Sequence, residues 1–201
     1  MDVLKRLDDS LDLVEEERLL LDAVRALCRD RIAPRSAAYD QSGEFPWDNV
    51  KAINDLGLNA MFIPEEYGGA GMSYVSYLAT VREIAKACAA TGLTWGATFH
   101  AVKPVVDFAS VEQKARLLPR IAAGGLVSLC ITEPTAGSDA TGMKTRFTPD
   151  GDHIVIQGGK TFITNGEEAD LHVVFGKWFG IENDKAAISV VLVEKDAAGL
   201  A

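Results

Sequence analysis

The stretch "CITEPTAGSDATGMKT", residues 130–145, marks the point where the chain changes character. An apolar run ends there in Thr132, Glu133 and Pro134, and small and hydroxyl residues follow. Proline cannot continue a β ladder, so a strand that stops at Pro134 frees its last backbone donors and acceptors. In "TEPTAGSD" Gly137 permits close backbone approach, while Thr132, Thr135 and Ser138 offer hydroxyls. Successive amide N–H groups in such a turn form a concave anion site without lysine, suited to a diphosphate or a polar heterocycle. Alone, the stretch reads better as a plain Asx- or Ser-type loop. It is not GxGxxG and no helix is expected after it, which excludes the dinucleotide-binding βαβ fingerprint.

On its amino-terminal side the chain reads as helices. Leu20, Val24, Leu27 and Arg31, with Leu21 and Cys28 alongside, trace a helical stripe that should end before Pro34. In "FPWDNVKAINDLG" (45–57) Pro46 suits a first turn, Trp47, Val50 and Ile53 share a face, and Gly57 supplies a left-handed stop. Ser73 caps a helix burying Tyr74, Tyr77, Val81, Ile84 and Cys88, which Gly92 should close. The nearly uncharged "LTWGATFHAVKPVVDFA" (93–109) must be buried almost all round if helical, with His100 a core histidine and Trp95 core filling. Ser110 and Gln113 form a capping box for "VEQKARLL", and Pro119 kinks or ends that helix.

After Gly125 the pattern turns to strands: "LVSLCI", "KTRFTP", "HIVIQG", "KTFITN", "LHVVFGKW" and "AAISVVLVEK" are short, β-rich and separated by turns. Their spacing implies a small antiparallel barrel or sandwich rather than βαβ units. The fold class is therefore α+β: an all-α domain over residues 1–124, then a small β-domain over 125–201.

The 201 residues suffice to bury a real core, and 48% hydrophobic with 24% charged residues is ordinary for a globular protein. A formal charge of −9 without a Lys/Arg cluster argues against a nucleic-acid partner. The opening "MDVLKRLDDSLDLVEEE" has neither the apolar core of a secretion signal nor the basic character of a transit peptide, and no apolar run spans a bilayer. Cys28, Cys88 and Cys130 form no metal-binding or disulfide pattern and read as reduced, buried thiols of a cytoplasmic protein.

A second segment gives the 130–145 stretch its weight. "GGKTFITNG" (158–166) reads as a strand with Phe162 and Thr164 on one face and Ile163 on the other. An aromatic beside a hydroxyl suits a flat conjugated ring that wants stacking plus one hydrogen bond. With the "IPEEYGGAG" loop (63–71), with "RIAPRSAAYDQSGEFPWDNVKAINDLGL", "IPEEYGGAGMSYVSYLATVREIAKACA" and "EQKARLLPRIAAGG", and with the "CITEPTAGSD" and "KTFITNG" pair, the chain resembles the amino-terminal and middle parts of an acyl-CoA dehydrogenase.

That resemblance implies a helical domain, a small β-domain and a further helical domain, assembled as a tetramer, with FAD between the β-domain and the last helices. It places Leu129, Ile131 and Thr132, then the turn through Gly137 and Ser138, against the flavin ring and diphosphate. Phe162 and Ile163 lie at the ring, Thr164 approaches its N5 side, and Ser138 also meets the pantetheine arm of the CoA thioester. The implied reaction is α,β-dehydrogenation of an acyl-CoA to the trans-2-enoyl-CoA, with electrons leaving to an electron-transferring flavoprotein. A glutamate serves as base in the family, in the carboxy-terminal helical domain; none is assigned here. Glu133 matches a structural position, and Glu65 and Glu66 shape a loop. The expectation is thus a fragment, or one subunit of a hetero-oligomer, without the catalytic glutamate. A flavin oxidase or monooxygenase of the same fold and a non-catalytic FAD- or CoA-binding subunit are the alternatives. Phe162 stands where tryptophan is usual, Leu129 where an aromatic is common, and Thr135 and Glu167 replace frequent glycines.

Overall fold

The computed structural model describes residues 10–181 and 187–200, so the first part of the acidic opening lies outside it. The chain divides into two compact units, Met1–Gly96 with Phe108–Gly124, and Ala97–Asp107 with Gly125–Ala201.

The first unit is helical. Helix α1 (Glu15–Leu27) ends before Pro34, but the helical path does not. It runs on through a π-helical turn, Cys28–Ile32, and a 3₁₀ turn, Ala33–Arg35, into α2 (Ser36–Ser42). Pro34 sits at the start of the 3₁₀ turn, where the missing N–H needs no helical partner. The buried stripe is Leu21, Val24, Cys28 and Ile32, with Arg31 in solvent, because the wider π turn rotates the later residues.

Helix α3 (Trp47–Asp55) buries Val50 and Ile53, while Trp47 stays half-exposed beside Phe45, ring centroids 4.9 Å apart. Gly57 takes φ +74°, the left-handed stop its position required. Helix α4 (Tyr74–Ala87) is capped by the Ser73 hydroxyl on the Ser76 N–H at 3.2 Å, and Tyr74, in its first turn, faces out.

Gly92 does not close α4. That helix ends at extended Cys88, and α5 (Ala89–Phe108) begins at once with Gly92 in its first turn. A Cβ on Gly92 would lie 2.7 Å from the Ala85 Cα, so glycine is there to let the two helices touch. Phe62, Tyr77 and Trp95 form the aromatic part of this core, with Tyr77 and Trp95 centroids 5.4 Å apart. Each polar tip is satisfied: Trp95 Nε1 donates to Asn59 Oδ1 at 2.9 Å, and Tyr77 OH to the Gly96 carbonyl at 3.2 Å. Helix α6 (Val111–Ala122) carries the expected Ser110–Gln113 capping box, and Pro119 lies within it without ending it.

The second unit is a five-stranded sheet with the Ala97–Asp107 part of α5. Its strands are β1 (Val127–Cys130), β2 (Arg146–Asp150), β3 (His153–Gln157), β4 (Leu171–Trp178) and β5 (Ile188–Glu194). β4 is central. It pairs antiparallel with β5 along its length and parallel with β1 and then β2; β2 and β3 form an antiparallel hairpin at the edge.

Helices followed by strands is therefore the observed order, but the sheet is mixed and, among the described residues, open. The wholly antiparallel barrel or sandwich assumed that each strand pairs with its chain neighbour. The connection that follows β3 is long enough to cross back and enter β4 parallel to both β1 and β2. The fully buried Phe147 anchors the core with Cys130 and Val174, against Ile163, Trp178, Val191 and Val193. β3 is exposed along its whole length. His100, expected in the core, is exposed, whereas its neighbours Phe99, Ala101 and Val102 are buried.

The "KTFITN" segment is not a strand. Phe162 and Asn165 adopt φ of +56° and +64°, a left-handed geometry that no ladder accepts. Gly158 starts the departure: a Cβ there would fall 2.4 Å from Thr145 Oγ1. The alternation that put Phe162 and Thr164 on one face therefore fails; Phe162 is 93% exposed, while Ile163 and Thr164 are both half-buried.

Candidate functional site

The two segments singled out by sequence come together within the sheet unit, and a buried ion pair joins them. Strand β1 ends at Cys130, so Leu129 belongs to it and Ile131 and Thr132 do not. Their carbonyls find other partners. Lys160 Nζ donates to the Ile131 carbonyl at 3.0 Å, and the Thr161 N–H donates to the Thr132 carbonyl at 3.0 Å. Pro134 is consequently not where the ladder stops. It lies in a tight turn closed by the Glu133 N–H on the Ala136 carbonyl at 3.0 Å and the Ala136 N–H on the Glu133 carbonyl at 3.1 Å.

Glu133 is 5% exposed and fully occupied. Its carboxylate accepts from the Lys144 N–H (2.6 Å), the Thr145 N–H (3.0 Å), the Thr145 hydroxyl (2.5 Å) and Lys160 Nζ (2.7 Å). Burial pushes this carboxyl up, but the hydrogen bonds from Lys160, Thr145 and Lys144 outweigh it and hold the group at about 2. A carboxylate so stabilised is a poor proton acceptor near neutrality, which agrees with its reading as structural. Lys160 is the residue that sequence reasoning passed over. It stands inside the quoted "GGKTFITNG", yet nothing local says that its ammonium reaches back to Ile131 and Glu133.

Beyond the turn, Gly137 and Ser138 are exposed, and a Cβ on Gly137 would meet nothing within 4 Å. Among the described residues, no backbone or side-chain acceptor takes the N–H of Thr132, Gly137 or Ser138. The amide donors are fewer than a wholly free turn would give, since Ala136 and Glu133 use each other's. The surviving pair at Gly137 and Ser138 still has the chemistry of an anion site. Phe162 presents an almost fully exposed ring from a left-handed backbone, an arrangement with a conformational cost that a bound flat ring would offset. Ile163 packs into the Phe147 core and fixes the other side of that loop. Among the described residues, no hydrogen bond joins Thr164 to Thr132 or Ser138.

Behind β1, Ser128 Oγ lies 2.8 Å from His172 Nδ1 and 3.3 Å from Cys130 Sγ. All three are buried, and burial, with Lys195 nearby, pushes His172 down against the opposing pull of Asp170. Among the described residues, no group of three or more His, Cys, Asp or Glu side chains is placed to hold a metal, and no helix is long and apolar enough to cross a membrane. The three cysteines are free and buried.

Comparison with known proteins defines the class. Residues 14–125 match the acyl-CoA dehydrogenase N-terminal domain and residues 128–201 the acyl-CoA dehydrogenase middle domain. The chain belongs to the acyl-CoA dehydrogenase family. It is 37% identical over 193 residues to a probable acyl-CoA dehydrogenase, YngJ, of Bacillus subtilis, covering 95% of this chain and 51% of that protein. It superposes on butyryl-CoA dehydrogenase from Megasphaera elsdenii with a TM-score of 0.88 at 28% identity, covering 94% of this chain and 50% of that one. An acyl-CoA dehydrogenase from Bacillus anthracis complexed with FAD gives a TM-score of 0.82 at 32% identity, covering 94% and 32%. The chain spans about half the length of the curated relatives it matches.

Proposed function

We propose that this chain carries the cofactor-holding part of a FAD-dependent enzyme that converts an acyl-CoA thioester to its trans-2-enoyl-CoA. One observation carries the reading: the Glu133–Lys160 pair joins the Ile131–Thr132 segment to the Thr161–Thr164 segment, and an exposed Phe162 and unpartnered amides at Thr132, Gly137 and Ser138 remain for a ligand. These residues fit FAD. Phe162 and Leu129 offer apolar contact to the ring, Thr132 and Thr164 hydrogen bonds to its polar edge, and Gly137 and Ser138 backbone donors to the diphosphate. Ser138 is positioned in sequence to serve the pantetheine arm as well.

When bound, FAD supplies the two-electron hydride acceptor. The chain's share is to hold the ring, exclude water from it and supply fixed dipoles. The α-proton goes to a base that is not Glu133, whose lone pairs are committed to four donors. We assign that base to a glutamate outside these 201 residues, electron removal to an electron-transferring flavoprotein, and the working form to an oligomer, a tetramer by analogy with the family.

The test is anaerobic titration of the FAD-loaded protein with a panel of acyl-CoA thioesters, watching the flavin absorbance. Bleaching supports dehydrogenation. A yellow protein that no thioester bleaches, alone or with its completing polypeptide, points to a non-catalytic binding subunit; a colourless protein overturns the cofactor assignment. Ser138→Trp and Thr164→Trp should each weaken FAD retention.

A further inference from the structure

Lys160 has a chemical consequence beyond joining two segments. Its ammonium sits on the carbonyl oxygen of Ile131 at 3.0 Å, and that carbonyl belongs to the same peptide unit as the Thr132 N–H. A cation on an amide oxygen withdraws electron density through the amide and makes its N–H a stronger donor. The cation is held there, because Glu133 binds it at 2.7 Å in a site where both side chains are almost wholly buried, 11% and 4% exposed. Glu133 is itself fixed by the Thr145 N–H and hydroxyl on the same oxygen and by the Lys144 N–H on the other. The polarised N–H points nowhere within the described protein: no acceptor in it takes the Thr132 proton.

We propose that Lys160, oriented by Glu133, is a positioning residue that tunes the bound flavin: by polarising the Ile131–Thr132 peptide it strengthens the Thr132 N–H as a donor to the ring edge and favours the reduced flavin, on which negative charge gathers. This rests on the FAD reading of the site. The device differs from a lysine laid directly on a cofactor. The charge stays in a dry, paired environment and acts through one peptide bond, which keeps the ring accessible.

The experiment compares the FAD-loaded wild type with Lys160→Met, Lys160→Arg and the double variant Glu133→Gln/Lys160→Met, reading the midpoint potential, the visible spectrum and the FAD dissociation constant. The double variant removes both charges together and so leaves no buried charge alone, which keeps the comparison available should Lys160→Met fold poorly. Loss of the cation should weaken the hold on reduced relative to oxidised flavin about tenfold, a potential lower by about 30 mV for a two-electron couple. Arginine, which keeps the charge, should restore most of it. A lysine that serves packing alone would lower FAD affinity and leave the potential of the bound flavin where it was, and that result overturns the proposal while sparing the FAD reading. A wild type that binds no FAD overturns both.

Discussion

Glu133→Gln isolates the interaction on which the site is built. The native carboxyl ionises at about 2 against an ordinary value of 4.5. At about 1.4 kcal/mol per pH unit, that interval corresponds to about 3 kcal/mol of folding free energy. The carboxyl is depressed in the folded state, so its contribution is fully present above pH 4.5 and is lost as the pH falls toward 2. Glutamine with its oxygen in the Oε1 place keeps an acceptor for Thr145 and Lys160 but turns an NH₂ group toward the Lys144 N–H, and it leaves the Lys160 ammonium buried without its counter-charge. Removing one partner of a buried pair costs about 3–5 kcal/mol, so the sheet unit should lose about 3 kcal/mol at pH 7. Amide hydrogen exchange in β1 and β4, corrected for intrinsic rates and followed from pH 7 to pH 2.5, reads this unit separately from the helical one. The gap between wild type and variant should narrow steadily below pH 4.5. A gap under about 1 kcal/mol at pH 7, or one that stays constant across the acid range, would refute the argument.

Other positions give independent checks. Phe147→Ala empties the centre of the sheet core, and exchange protection in β2 and β4 should fall by about 3–5 kcal/mol. Gly92→Val drives a side chain into Ala85 at the α4–α5 junction and should lower the melting temperature of the helical unit, whereas Gly159→Ala, at a position open to solvent, should not. Ser128→Ala deprives buried His172 of its partner, at a cost of about 1–3 kcal/mol read by urea unfolding. His172 is depressed in the folded state, so its neutral form supports folding above pH 6.5 and that support is lost as the pH falls; His172→Gln should flatten the stability profile just below pH 6.5.

What was legible in the sequence was whatever local chemistry decides. The Ser110–Gln113 box, the Ser73 cap, the left-handed stop at Gly57 and the strands at 127–130, 146–150, 153–157, 171–178 and 188–194 each follow from residues within a few positions of one another. The failures are equally specific. Pro34 reads as a stop, and the α-helix does end before it, but a linear pattern does not reveal that a π turn will carry the helical path on and place Pro34 at the head of a new turn. His100 reads as core from its apolar neighbours, although a helix that buries most of its circumference still leaves one line of residues in water. "KTFITN" has the composition of a strand, and its conformation was decided instead by Gly158 against Thr145 and by left-handed Phe162.

The same distinction explains why residues of the candidate site can be nominated from sequence and its assembly cannot. Thr132, Ser138 and Phe162 can be nominated from residue chemistry, since hydroxyls, small residues and an aromatic are what a flat anionic ligand needs. Which backbone groups stay available depends on the partners the rest have taken, and those partners come from 11 to 29 residues away: Thr145 and Lys144 for Glu133, Thr161 for Thr132, Lys160 for Ile131. A proline in the turn looked like the cause of the ladder's end. In the folded chain the ladder ends four residues earlier, and the freed carbonyls at Ile131 and Thr132 are claimed by the second segment. The turn and the loop are therefore one structural unit: a substitution at Lys160 or Glu133 should disturb groups at Thr132 and Phe162 that it does not touch. Their couplings in double-mutant cycles should exceed the few tenths of a kcal/mol expected of independent sites.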